Sequence, residues 1–179
     1  MFKKALILTC FLLTTGASTL LRAQASPTAS RVGDLQAGIL ITGTNLDYGT
    51  HDHMGYGAYA TFDFKEHWGV ELNIRQVSAG AAEENLAERT YQIGGRYVRT
   101  YGRFKPYVRL SVGRGVFNFP FNQANLAYNM YSAGGGVDVH IIDRVNLRLI
   151  DYEYQRWGSF PPRGLQPNVI SVGVAYHFK

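Results

Sequence analysis

From Leu35 almost to its end, the chain alternates apolar and polar side chains at a spacing of two. Glycine, proline, asparagine and aspartate clusters break that alternation into short runs. Residues two apart share one face of an extended strand, whereas a helix repeats near 3.6, so the pattern predicts β-structure throughout. The last run is the clearest: Ile170, Val172, Val174, Tyr176 and Phe178 fall on one face, and Ser171, Gly173, Ala175 and His177 on the other. Trp68, Val70, Leu72 and Ile74 oppose Gly69, Glu71, Asn73 and Arg75 in the same way, and Phe104, Pro106, Val108, Leu110 and Val112 oppose Tyr107, Arg109, Ser111 and Gly113. Residues 81–89 (AAEENLAER) form the one helix-like stretch, and it is short.

Eight runs emerge, at 35–45, 56–64, 68–77, 90–99, 104–116, 125–141, 145–157 and 168–178. Their connections alternate in length. Residues 65–67, 100–103 and 142–144 are tight turns, while 46–55, 78–89, 116–124 and 158–167 are longer and irregular. One plain rim and one elaborate rim around eight strands predict an all-β, antiparallel up-and-down barrel.

The N-terminus has a different grammar. Lys3 and Lys4 precede an apolar stretch (ALILTCFLL) too short to span a bilayer as a helix, and Ala23-Gln24-Ala25 supplies a small-x-small cleavage site. Residues 1–25 are therefore expected to be a signal peptide, 26–34 a short periplasmic segment and 35–179 the barrel. Removing 25 of the 179 residues takes away three cations and no acids, so the net charge falls from +5 to about +2. The basic balance thus owes much to the removed part, and a nucleic-acid partner is not expected. Cys10, the single cysteine, leaves with that segment.

Eight antiparallel strands also describe a soluble ligand barrel, so the faces decide. Here the charges sit beside glycine, serine and alanine, which suits a narrow interior. The opposite faces are large and apolar, with Trp68, Tyr97, Phe104, Tyr176 and Phe178 near the short-turn rim. That placement predicts an aromatic belt at the headgroup level of a membrane. Asp151 and Glu153 continue the parity of Val145, Leu147 and Leu149 onto the lipid side. Either a bulge near 149–151 turns them inward, or they stand above the hydrocarbon.

The stretches 56–70 (YGAYATFDFKEHWGV) and 97–116 (YVRTYGRFKPYVRLSVGRGV), the Gly134-Gly135-Gly136-Val137-Asp138 run and the terminal VGVAYHF together resemble the outer-membrane β-barrel domain family, the small eight-stranded OmpA/OmpX-like barrels. The resemblance implies an exported protein of the outer membrane in contact with lipid and lipopolysaccharide. The chain's end is similar to the C-terminal strand signal read by the barrel-assembly machinery, on Gly173, Tyr176 and Phe178, although it closes on Lys179. Some small barrels of this kind are enzymes acting on lipid A, and a deacylase among them needs a serine activated by histidine. His177 and Ser171 share a face but stand roughly 20 Å apart along the strand, so no catalytic residue is assigned and the chain is not expected to be an enzyme.

Glu71, Arg75, Arg96, Arg109, Asp138 and Arg148 are expected in the lumen. Buried charges must pair or find water. They form either an interlocked plug or a narrow, gated ion path. Asp47, His51, Asp52 and His53 (in DYGTHDH) have metal-ligand chemistry but read as a polar loop, so neither metal nor cofactor is expected. Phe117, Phe119, Phe121, Trp157 and Phe160 fall in the later long loops, where they contact an extracellular partner, enter the headgroups or fold over the mouth.

Overall fold

The computed structural model describes residues 33–45, 53–78, 87–118, 125–158, 160 and 163–178. The segment read as a signal peptide lies outside them. The strands are β1 (Asp34–Asn45), β2 (His53–Asp63), β3 (Trp68–Ser78), β4 (Ala87–Val98), β5 (Phe104–Asn118), β6 (Asn125–Ile142), β7 (Val145–Arg156) and β8 (Asn168–Phe178). Each pairs antiparallel with the next, and β8 pairs with β1 from Leu35↔Phe178 to Asn45↔Asn168, closing the barrel. Closure gives every strand two neighbours, so no edge is left to present bare backbone groups to lipid.

Two strands begin earlier than the alternation suggests. β2 starts at His53, where Thr44↔His53 and Gly43↔Met54 extend the β1 ladder. β4 starts at Ala87, where Ser78↔Ala87, Val77↔Glu88 and Gln76↔Arg89 continue the β3 ladder. The end of the helix-like stretch is therefore strand, because pairing with β3 outweighs the local preference of alanine, glutamate and arginine for helix.

The two faces are inverted relative to a water-soluble barrel. Ile39, Leu72, Ile93, Leu110 and Ile170 are all more than half exposed, while Glu71, Arg75, Arg96, Arg109 and Arg148 are at most 2% exposed. With lipid as the outside solvent, both faces are matched to their surroundings.

The seventh strand keeps this inversion by means of a bulge. Arg148 faces Gly173 on β8 and Asp151 faces Ser171, so two residues, Leu149 and Ile150, stand opposite Val172 alone. Both point outward, at 46% and 48% exposure, and the parity flips after them. Asp151 and Glu153 consequently turn into the lumen and are fully buried. Deleting Ile150 is expected to return both carboxylates to the lipid face and to prevent folding. Unboiled samples on an SDS gel should then lack the heat-dependent mobility shift, which the Ile150→Val control retains.

Candidate functional site

The lumen is a polar core assembled from inward positions of six strands. Glu71 on β3 is its hub. It contacts Arg148 at 3.0 and 3.1 Å, Arg96 at 3.5 Å, and Arg109. Asp138 binds Arg148 at 2.9 Å and Arg96 at 3.4 Å, and Asp63 lies 3.5 Å from Arg96 toward the short-turn end. Nearer the long-loop end, Arg75 bridges Glu153 at 2.9 Å and Asp151 at 3.1 Å, and Arg109 reaches the same two acids. Four arginines thus meet five carboxylates with nearly balanced charge. The arrangement spares each ion most of the cost of leaving water, which an unpaired one bears in full.

Two tyrosines complete this core. Tyr107 donates its hydroxyl to Asp151 at 2.7 Å, and its ring lies 4.7 Å from both the Arg96 and the Arg148 guanidinium. Arg148 also stacks over Tyr59 at 3.9 Å. Guanidinium groups sheathed by rings keep an electrostatic partner on faces that no carboxylate reaches.

All six charges assigned to the lumen from the sequence lie there. Asp63, Tyr59, Tyr107 and Gln92 complete the cluster without standing out in the sequence, and Asp151 and Glu153 join it through the bulge. For the two acids of β7, the signal was their own parity, which placed them in lipid unless the strand bulged.

At the long-loop end of β5–β7, apolar side chains cap the ion pairs. Phe117, Met130, Trp157 and Leu165 are at most 4% exposed and pack together, with Tyr128 and Phe160 against them. Phe117 and Trp157 are therefore not displayed to an outside partner. β5 extends through Phe117, and Trp157 pairs with Leu165 in a small bridge, folding both rings inward. The Trp157 ring occupies the space that a Cβ at Gly115 would fill. Its indole N–H donates to Gln155 at 3.0 Å, and Gln155 donates to Glu153 at 2.9 Å. Lid and plug thus share one chain of hydrogen bonds. Phe119 and Phe121 lie outside the described residues.

His53 departs from the loop reading. It is an inward residue of β2, 5% exposed, while Asp47, His51 and Asp52 lie outside the described residues. On the β1–β4 side, Thr44, His53, Asn73, Glu88 and Thr90 each bury a side-chain polar atom without a hydrogen-bond partner among the described residues. Ser171 and His177, considered for acyl chemistry, have other partners: Ser171 bonds Thr42 at 2.7 Å and His177 pairs with Asp34.

On the outer face, Trp68, Tyr97, Phe104, Tyr176 and Phe178 ring the short-turn end. Trp68 meets Tyr97 edge-on at 5.0 Å, and Tyr176 meets Phe178 likewise at 5.0 Å. Arg99 donates to the Tyr97 hydroxyl at 3.0 Å and Arg144 to that of Tyr176 at 2.9 Å. Gly173 lies inward on β8, opposite Leu40 and Arg148.

Truncating the hub gives the sharpest energetic test. Glu71→Ala leaves Arg148 and Arg109 short of a partner and is expected to cost about 3–5 kcal/mol. Urea unfolding in lipid vesicles should show this loss, and pairing the change with Arg148→Ala should give a combined loss well below the sum of the two.

A family model described as the outer membrane protein beta-barrel domain matches residues 9–178. No curated protein sequence matches the chain. Among solved structures, Neisserial surface protein A is 13% identical, with a TM-score of 0.68 over 82% of this chain and 97% of that one. OprG of Pseudomonas aeruginosa is 16% identical, with a TM-score of 0.58 over 82% and 96%. Ail, the attachment invasion locus protein of Yersinia pestis, crystallised with the heparin analogue sucrose octasulfate, is 17% identical, with a TM-score of 0.52 over 82% and 97%. At such identities the likeness is one of fold. The closed eight-stranded barrel with its lipid-facing apolar surface, together with a family match over nearly the whole length, establishes that this chain belongs to the outer membrane protein beta-barrel domain family and resides in the outer membrane.

Proposed function

We propose that this protein is a closed, non-enzymatic barrel whose work is done at its surfaces: it is a structural element of the outer membrane and a rigid platform for its long loops. The observation that carries this reading is the filled lumen. Eight strands leave room for side chains and little else, and here the ion pairs occupy that room beneath the Trp157 lid. In this reading the short-turn rim faces the periplasm, with Trp68, Tyr97, Phe104, Tyr176 and Phe178 as its headgroup belt. The long loops face outward toward an extracellular partner, and lipopolysaccharide surrounds the barrel. Gly173, Tyr176 and Phe178 serve as the signal for the barrel-assembly machinery. The names of Neisserial surface protein A and of the Yersinia attachment protein support a role at the cell surface.

A second reading, a narrow gated ion path, draws support from one observation: polar atoms of Thr44, His53, Asn73, Glu88 and Thr90, gathered on the β1–β4 side, have no partner among the described residues. Such atoms favour water or ions nearby. Planar-bilayer recording separates the two. The closed reading expects no steady conductance from the wild type, and stable open levels would overturn it. The pore reading expects a small cation-selective conductance that falls in Glu88→Gln.

A further inference from the structure

The outward faces of the strands carry three cations and, among the described residues, no carboxylate. The cations are Arg89 on β4, Arg114 on β5 and Arg156 on β7, all exposed. Each lies within four residues of the long-loop end of its strand. Their positions are linked through the ladder. Arg89 faces Val116, two residues from Arg114; Arg114 faces Asn129; and Arg156 faces Tyr131, two residues from Asn129. Arg89 donates to Gln76 at 2.9 Å. The side chains of Arg114 and Arg156 have neither a hydrogen bond nor an ion pair among the described residues. The outward faces of β1, β2, β3 and β8 hold no cation.

Beside this arc the outer surface is hollow, and Val116 and Tyr131, the partners of Arg89 and Arg156, line the hollow. A groove of about 750 Å³ runs between Ile74, Tyr91, Ile93, Val112, Val116 and Tyr131, and Arg114 and Asn129 also line it. It adjoins a second hollow of about 520 Å³ that shares Ile93, Val112 and Tyr131 and reaches Gly95. Gly95 points outward, and a Cβ there would meet nothing within 4 Å.

An arginine on the lipid face is costly at the midplane and tolerated near the interface, where its fork meets headgroup phosphate. Three such forks with no competing acid form a one-sided complement to a headgroup bearing more than one phosphate. The apolar groove that adjoins them suits acyl chains attached to that headgroup. We infer that the outer face of β3–β7 is a seat for a single phosphorylated, multiply acylated glycolipid of the outer leaflet, its phosphates held by Arg89, Arg114 and Arg156 and its chains lying in the Ile93–Val112–Tyr131 groove. This rests on the orientation proposed above, with the long-loop rim outward. It adds to that reading a fixed site on one side of a barrel otherwise bathed in bulk lipid.

The test uses the full barrel in phosphatidylcholine nanodiscs doped with diphosphorylated lipid A or with its dephosphorylated form, and native mass spectrometry counts the retained lipid. The wild type should retain the phosphorylated form preferentially. Arg89→Gln/Arg114→Gln/Arg156→Gln should weaken retention by about a hundredfold. The control Lys65→Gln/Arg103→Gln, at the opposite rim, should stay near the wild type. Gly95→Leu, which fills open space, should keep the heat-dependent mobility shift yet loosen the chains severalfold. Equal retention of both lipids by the wild type, or unchanged retention by the folded triple arginine variant, overturns the inference. Failure of the functional reading has different marks: steady conductance refutes the closed lumen, and protease cleavage of short turns rather than long loops on intact cells refutes the orientation.

Discussion

Charges held inside a narrow tube tolerate very little geometric error. Arg148 and Glu153 are 0% exposed, as is Asp151, and Glu71 is 1% exposed, so each depends on protein neighbours for the stabilisation that water would otherwise give. Those neighbours come from strands distant in sequence: Arg75 and Glu153 are separated by 78 positions and Glu71 and Arg148 by 77. The pairs can form only if every intervening strand is in register. The polar core thereby specifies one pairing of eight strands, in a fold whose outer apolar faces discriminate poorly between alternatives, since lipid is as apolar as the side chains it touches.

Seen from this core, the bulge in β7 and the small inward residues serve the same end. A strand with strict alternation from Val145 to Arg156 has its basic residue inside and its acids outside. The extra residue at Leu149–Ile150 lets one strand contribute Arg148, Asp151, Glu153 and Gln155 to a single network. At the short-turn rim the logic reverses: rings face outward, and turn arginines bind the tyrosine hydroxyls, anchoring polar tips where the apolar slab ends.

The period of two made the strand number, the alternating linkers and the inward arginines readable, because each depends only on local order. Partner identity was not readable. Nothing in the neighbourhood of Arg75 says that its acids lie on β7, since that contact depends on curvature and closure. The early start of β2 was hidden because Gly55 looks like a loop residue, although it lies on the inner face, where the backbone of β3 leaves no room for a Cβ. Phe117 and Trp157 were obscured in another way. Near prolines and glycines they resemble loop residues, and only the Trp157–Leu165 bridge shows them turned into the mouth. The arginine arc went unread because its members are scattered over three strands and meet only through the ladder.

The seam between β1 and β8 joins the first strand of the barrel to the last, Leu35 with Phe178. Until that last ladder zips, two strands present bare amides and carbonyls, and the acids of β7 lack the arginines that neutralise them. A partly threaded chain is consequently a poor guest for a bilayer, whereas a finished cylinder is a good one. Insertion and closure are bound into one event, and a chain emerging from export has to be kept unfolded until its final residues arrive.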